Sequence, residues 1–148
     1  MPFQFSLRAL HRLRQTYEKR ERMRLTMLNA AFGRLQQNYQ ETGRQRMADL
    51  TQLEGNLQTG MAGNELKVTA TSLQHSAARL NQLKNQIKEL EFQVRRQTEI
   101  YLETQKKRKI LDSLRERELR TFELDENRRE QQRIDDLFVQ RRRFLVRG

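Results

Sequence analysis

The sequence has no cysteine, no tryptophan, a single proline and no apolar run long enough to span a membrane. The lack of cysteine excludes disulfides and thiolate metal sites. Hydrophobic residues make up only 35% of the 148 residues and charged residues 33%, so a thick globular core is not expected. The two histidines, His11 and His75, have no second ligand at metal-binding spacing. We therefore predict no metal and no cofactor.

Catalytic motifs are missing as well. The chain contains no glycine-rich phosphate loop, no nucleophile elbow and no Ser/His/Asp set. Neighbouring acidic residues, such as Asp135 with Asp136, fall in helical segments that offer no dry, concave site where a carboxylate pKa could shift. We predict that the protein is not an enzyme and has no direct small-molecule ligand.

Apolar residues are few, but they are regularly spaced. In the second half of the chain an apolar residue recurs every seven positions, at Leu66, Leu73, Leu80, Ile87, Val94 and Tyr101. A sustained repeat of seven predicts a coiled-coil seam, because the stripe stays on one side only if the helix supercoils about a partner. In the first half, a matching stripe steps by three and four through Leu28, Phe32, Leu35 and Tyr39.

The two striped segments are separated by residues 55–64, which hold three of the six glycines. Such a density of glycine disfavours a continuous helix. We predict one coiled-coil domain over 1–148, with helix 1 at 6–54 capped by Ser6, a turn at 55–64, helix 2 at 65–142 capped by Asn64, and a basic tail at 143–148. The predicted fold class is all-α, with two long helices in an antiparallel coiled-coil hairpin and the second helix longer. In this register Leu7 lies opposite Asp112.

Positive charge is concentrated toward the two termini. Residues 1–30 contain seven basic and two acidic residues, 31–104 contain nine and eight, and 105–148 contain fourteen and nine. A hairpin brings these two basic segments to one end. The part of helix 2 that outlasts helix 1 also carries apolar residues, which predicts contact with another protein there. They are Leu119, Phe122, Ile134, Leu137, Phe138 and Phe144.

The basic run Arg141-Arg142-Arg143, with Arg147, has the charge of a phosphate-binding segment. Few aromatic residues are available to stack on bases, however, and no groove-reading motif occurs. We predict a solvated helix face and no nucleic-acid partner. A basic amphipathic helix can also reside near an anionic membrane, which we expect only as a secondary effect because the apolar stripe is narrow.

Two motifs, together with the glycine-broken hairpin, suggest a family. The first is Phe3-x-Phe5-Ser6-Leu7-x-x-Leu10-x-x-Leu13-Arg14, and the second is Glu126-Asn127-Arg128-x-x-Gln131-x-x-Ile134-Asp135-Asp136-Leu137. In motif order, chain length, turn position and basic balance, the whole chain resembles the FliJ family of flagellar type III export proteins.

The resemblance implies a non-enzymatic stalk and chaperone-handling component of the flagellar export apparatus, cytoplasmic and peripherally associated with the inner-membrane machinery. In this family the open end of the hairpin enters a hexameric export ATPase ring. The hairpin also contacts the cytoplasmic domain of the export gate and export chaperones. The residues assigned to the ring are bases on both terminal segments: Arg8, Arg12, Arg14, Arg128, Arg133, Arg141 and Arg142. The residues assigned to the gate follow the turn, on a face expected to point away from the seam: Ser72, Ser76, Arg79 and Leu83.

Two other functions remain open from the sequence. One is the equivalent stalk protein of a virulence type III secretion system, which has the same architecture and the same kind of ATPase partner. The other is a structural coiled-coil scaffold whose helices pair between chains.

Overall fold

Two long helices account for nearly all of the chain. A computed structural model describes residues 2–147, and side chains as far as residue 146. Helix α1 spans Arg8–Thr59 with 52 residues, and helix α2 spans Gly63–Arg147 with 85 residues. The helices pack against each other in antiparallel order, which confirms the predicted all-α hairpin with a longer second helix.

The turn between the helices is shorter than the ten residues expected from the glycines. Only residues 60–62 lie outside a helix, and Gly60 has a φ of +97°, in the left-handed region that glycine adopts without strain. Gly55 therefore lies within α1. Because α2 already begins at Gly63, Asn64 occupies its first turn, and the Leu66 amide donates to the carbonyl of Ala62.

The start of α1 also differs from the expectation. The helix begins at Arg8, and Ser6 lies in the preceding turn. The Ser6 hydroxyl donates to Glu118 of α2 at 2.5 Å, and its backbone amide donates to the same carboxylate at 3.2 Å. Ser6 therefore makes a tertiary contact with α2 in place of the predicted helix cap.

The chain divides into two compact units, whereas the sequence predicted a single domain. The terminal unit comprises Met1–Lys19 with Glu103–Gly148, and the central unit comprises Arg20–Leu102. The predicted basic tail at 143–148 belongs to the terminal unit, where α2 continues through Arg147 and Gly148 lies outside the described residues.

The core of the central unit is an apolar seam. Leu83 is its most buried residue, with 1% of its surface exposed. Most predicted seam residues of this unit are half-buried, but Tyr39 and Leu66 are 37% and 40% exposed and lie at its margin. The half-buried members are Leu28, Phe32, Leu35, Leu73, Leu80, Ile87, Val94 and Tyr101.

A buried polar layer interrupts the seam of the central unit. Glu21 is 4% exposed and Gln97 is 9% exposed. The Gln97 side-chain amide donates to the Glu21 carboxylate at 2.6 Å and to the Glu21 backbone carbonyl at 3.1 Å. The hydrogen bond from Gln97 lowers the pKa of Glu21, and the charges of Arg24 and Arg20 add to this against the opposing effect of burial. Glu21 is therefore a buried carboxylate stabilised in its ionised form.

Candidate functional site

The terminal unit is the more basic of the two. It contains eighteen basic and eleven acidic residues, whereas the central unit contains twelve and eight. The terminal unit thus carries seven of the eleven net positive charges of the chain. Because it includes both terminal segments, it is the part of the molecule where the sequence placed the principal partner contacts.

Residues 2–7, which we call the N-terminal hook, pack against α2 in this unit. The Phe3 and Phe122 rings lie 5.6 Å apart between centroids, and the Arg115 guanidinium lies 6.0 Å from the centroid of Phe3. Phe5 is 7% exposed and packs edge-on against His11, with the two ring centroids 5.8 Å apart. The hook therefore covers Phe122, which the sequence had assigned to an unpaired stretch of helix 2.

A charged cluster links the two helices next to the hook. The Arg108 guanidinium donates to Glu18 at 2.6 and 3.1 Å and also to Asp112. His11 Nε2 lies 2.6 Å from Asp112 Oδ1, so Asp112 pairs with His11 where the sequence had placed it opposite Leu7. Hydrogen bonds of charged side chains therefore join the two helices here, beside the buried Leu111.

The electrostatics of this cluster favour the charged forms of Asp112 and Arg108. Partial burial alone would raise the pKa of Asp112, but the hydrogen bonds from His11 and Arg108 outweigh it, and the pKa lies below its usual value of 3.8. The hydrogen bonds to Glu18 and Asp112 raise the pKa of Arg108. Arg108 and Asp112 therefore face each other as an ion pair at neutral pH.

The bases assigned to an ATPase ring all belong to the terminal unit. Arg14 differs from the rest because it is half-buried and less accessible to a partner. The fully exposed members are Arg8, Arg12, Arg128, Arg133, Arg141 and Arg142.

The gate residues do not share one exposed face. Leu83 is the most buried side chain of the seam and Ser76 is half-buried, whereas Ser72 and Arg79 are exposed. The expectation that all four residues point away from the seam is corrected accordingly. Leu83 lies three residues after Leu80, at the second core position of the heptad, and this position is polar at Ser76 and Gln97 on either side of Leu83 and Leu90.

The last turns of α2 present an exposed apolar surface. Every residue from 127 to 146 is exposed. Five apolar side chains in this stretch recur at helical spacing, and we call them the C-terminal stripe: Ile134, Leu137, Phe138, Phe144 and Leu145. Their exposed fractions range from 53% for Ile134 to 80% for Phe144. The sequence analysis identified these residues except for Leu145.

Within residues 2–147, neither of the two helices is long and apolar enough to cross a membrane. Among the described residues, no three His, Cys, Asp or Glu side chains are grouped as metal ligands would be.

Comparison with known proteins identifies the family. No curated protein and no solved structure matches the chain significantly. The family model described as "Flagellar FliJ protein" matches residues 3–145, which confirms the resemblance inferred from the two sequence motifs. The chain therefore belongs to the FliJ family, whose members are components of the flagellar type III export apparatus.

Proposed function

We propose that the protein is the non-enzymatic stalk of the flagellar export apparatus. In this proposal the terminal unit inserts into the hexameric export ATPase ring, and the protein links the ring to the cytoplasmic domain of the export gate and handles export chaperones. It works in the cytoplasm, peripherally associated with the inner-membrane machinery. The observation that carries the proposal is that both terminal segments belong to one basic unit.

The charges of the terminal unit suit a contact that must be made and broken repeatedly. A single asymmetric helix pair inside a sixfold ring meets six similar surfaces, and one strong, unique contact would hinder turnover. Exposed arginines contribute weak, solvent-screened attractions instead. Arg128, Arg133, Arg141 and Arg142 are exposed on α2, and Arg8 and Arg12 are exposed on α1.

The central unit is the proposed site of the gate contact. Ser72 and Arg79 are exposed shortly after the turn and remain candidates for this contact. Burial removes Leu83 from the contact surface, so its role in the proposal is to hold the seam beneath those residues. Replacement of Arg79 by Glu is expected to weaken capture of the purified gate domain while leaving helicity unchanged.

The ring contact is tested by ATP hydrolysis of the purified flagellar export ATPase in the presence of this protein. We expect Arg141→Glu/Arg142→Glu to abolish stimulation at physiological salt. The matched control is Lys84→Glu/Lys88→Glu, which changes the net charge equally at exposed positions of the central unit. Undiminished stimulation by the arginine variant, or equal loss in the control, would show that these arginines do not form the ring contact.

The hairpin itself is tested against a scaffold paired between chains. Sedimentation at micromolar concentration is expected to give the mass of one chain, 17.9 kDa. A species of twice this mass would favour a structural coiled coil over the proposed stalk.

A further inference from the structure

The C-terminal stripe forms one continuous apolar face on the helix surface. Since an α-helix turns by about 100° per residue, Ile134, Phe138 and Leu145 project within about 40° of one another. Leu137 and Phe144 extend this face to an arc of about 120°. The exposed fractions are 64% for Leu137, 68% for Phe138 and 71% for Leu145. The stripe is therefore a solvated apolar face.

The stripe does not continue the seam that α2 uses against α1. The seven-residue spacing that begins at the buried Leu111 passes next through Glu118, which contacts the N-terminal hook. The same spacing then reaches Asp125 and Gln132, both of which are polar, and after them Val139 and Val146, which are exposed and lie on another face than the stripe. The apolar residues of the C-terminal stripe lie between these positions, so the stripe is suited to a different occupant.

Positive charge surrounds the C-terminal stripe. Residues 137–146 include three consecutive arginines, Arg141 to Arg143, and no acidic residue. Arg141 falls within the apolar arc and Arg142 about 40° beyond it. From these positions long side chains can extend toward anionic groups while their methylenes remain on apolar surface. The nearest carboxylates, Asp135 and Asp136, project to either side of the arc, and Asp135 accepts a hydrogen bond from Gln131 at 3.2 Å.

We propose that the C-terminal stripe binds the surface of an anionic lipid bilayer, with this part of α2 lying in the interface. Aromatic and aliphatic side chains bordered by arginines match a surface that is apolar below and negatively charged at the headgroups. A second copy of the chain is a poorer match, because it would bring the same arginines together.

Lipid binding gives the same segment a second partner, in addition to the ring of the proposed stalk function. Ring insertion and lipid binding both use Arg141 and Arg142, so the two states exclude each other. The chain that is not in a ring is held at the membrane surface, which raises its local concentration where the export apparatus assembles. Lipid binding needs no ATPase, so it can be measured separately from the proposed function.

The test is flotation of the purified full chain with vesicles, compared between phosphatidylcholine alone and a mixture containing about one quarter phosphatidylglycerol, at low salt. We expect binding to the anionic vesicles only. Phe138→Gln/Phe144→Gln should lower the partition coefficient about tenfold or more. The matched control is Phe92→Gln, because Phe92 is 64% exposed in the central unit, and it should bind like the wild type.

Two further variants separate the stripe from general charge attraction. The variant Arg141→Gln/Arg142→Gln/Arg143→Gln should lower vesicle binding about tenfold or more. The control Lys106→Gln/Lys107→Gln/Lys109→Gln removes the same amount of charge from exposed positions, and it should have a much smaller effect. Because the chain lacks tryptophan, Phe144→Trp provides a reporter whose emission should shift to the blue with anionic vesicles.

The proposal is overturned if the phenylalanine variant floats like the wild type, or if the lysine control loses as much binding as the arginine variant. It is also overturned if the tryptophan emission is insensitive to vesicles. A two-chain species that the phenylalanine variant abolishes in sedimentation without lipid would identify a second copy as the occupant instead.

Discussion

The buried pair Glu21 and Gln97 provides the sharpest test of how the central unit is held together. Replacing Gln97 by Leu removes the hydrogen bonds to the Glu21 carboxylate and to its backbone carbonyl. The carboxylate would remain buried, with only the ion pairs to Arg24 at 3.0 Å and Arg20 at 3.4 Å. Because an apolar residue is added while a buried charge loses its best partner, the two effects oppose each other.

The magnitude follows from these opposing terms. Leaving a buried acceptor unsatisfied costs about 1–3 kcal/mol, and more when it is charged. The added apolar burial of Leu recovers about 1 kcal/mol of this. We expect Gln97→Leu to lower the free energy of unfolding by about 1–3 kcal/mol, because the buried charge dominates. In Glu21→Leu/Gln97→Leu the buried charge of this pair is removed. The free energy of unfolding should then be equal to that of the wild type or higher, by up to about 3 kcal/mol.

The assay is thermal unfolding followed by circular dichroism, at neutral pH, on the wild type, both single variants and the double variant. A chain of this size shifts its Tm by about 2–4 °C per kcal/mol, so the loss in Gln97→Leu is measurable. The double-mutant cycle should give a coupling energy of about 2 kcal/mol. A Gln97→Leu variant more stable than the wild type, or effects that simply add, would refute the buried charge as the cause.

Three further predictions concern the seam and its charges. The pKa values of Glu21 and Asp112 lie below their ordinary values of 4.5 and 3.8, so the stability that these carboxylates contribute is complete above those values and is lost as the pH falls below them. Tm should therefore be steady from pH 7 to about 5 and should fall in more acid solution. The fall should be less steep in Asp112→Asn. The Arg46 Nε atom is buried without a hydrogen-bond partner among the described residues, so Arg46→Met should raise Tm by about 2–4 °C, while the exposed Arg44→Met leaves it unchanged. Leu83→Ala should cost about 2–4 kcal/mol in urea unfolding, and a loss below 1 kcal/mol would contradict its place in the core.

Spacing in the sequence was sufficient to predict one core position of each heptad. The repeat through Leu80 and Ile87 was apolar without exception, so it could be recognised from residue type alone. The second core position passes through Leu83 and Leu90 but then reaches Gln97, whose burial depends on a partner on the other helix. A polar residue in a core position gives no periodic signal, and this is why Leu83 was first placed on an outer face.

The candidate site was predictable only in part for a similar reason. The basic charge of both terminal segments, and the exposed apolar residues near the end of α2, follow from residue type and order. The contacts of the N-terminal hook do not, because Ser6 and Phe3 lie more than a hundred residues from their partners Glu118 and Phe122. No local pattern distinguishes a serine that caps a helix from one that bonds to a distant carboxylate.

The sequence by itself determined the all-α class, the antiparallel pairing of two helices, the basic terminal segments and the family. Each of these depends on periodicity, composition or motif order, which are properties of the chain read along its length. Only the tertiary structure decided where the turn closes, that Glu21 and Gln97 share a buried layer, and that the N-terminal hook packs against α2. These features depend on which side chains meet across the two helices, and that register is set by packing and hydrogen bonding between residues far apart in sequence.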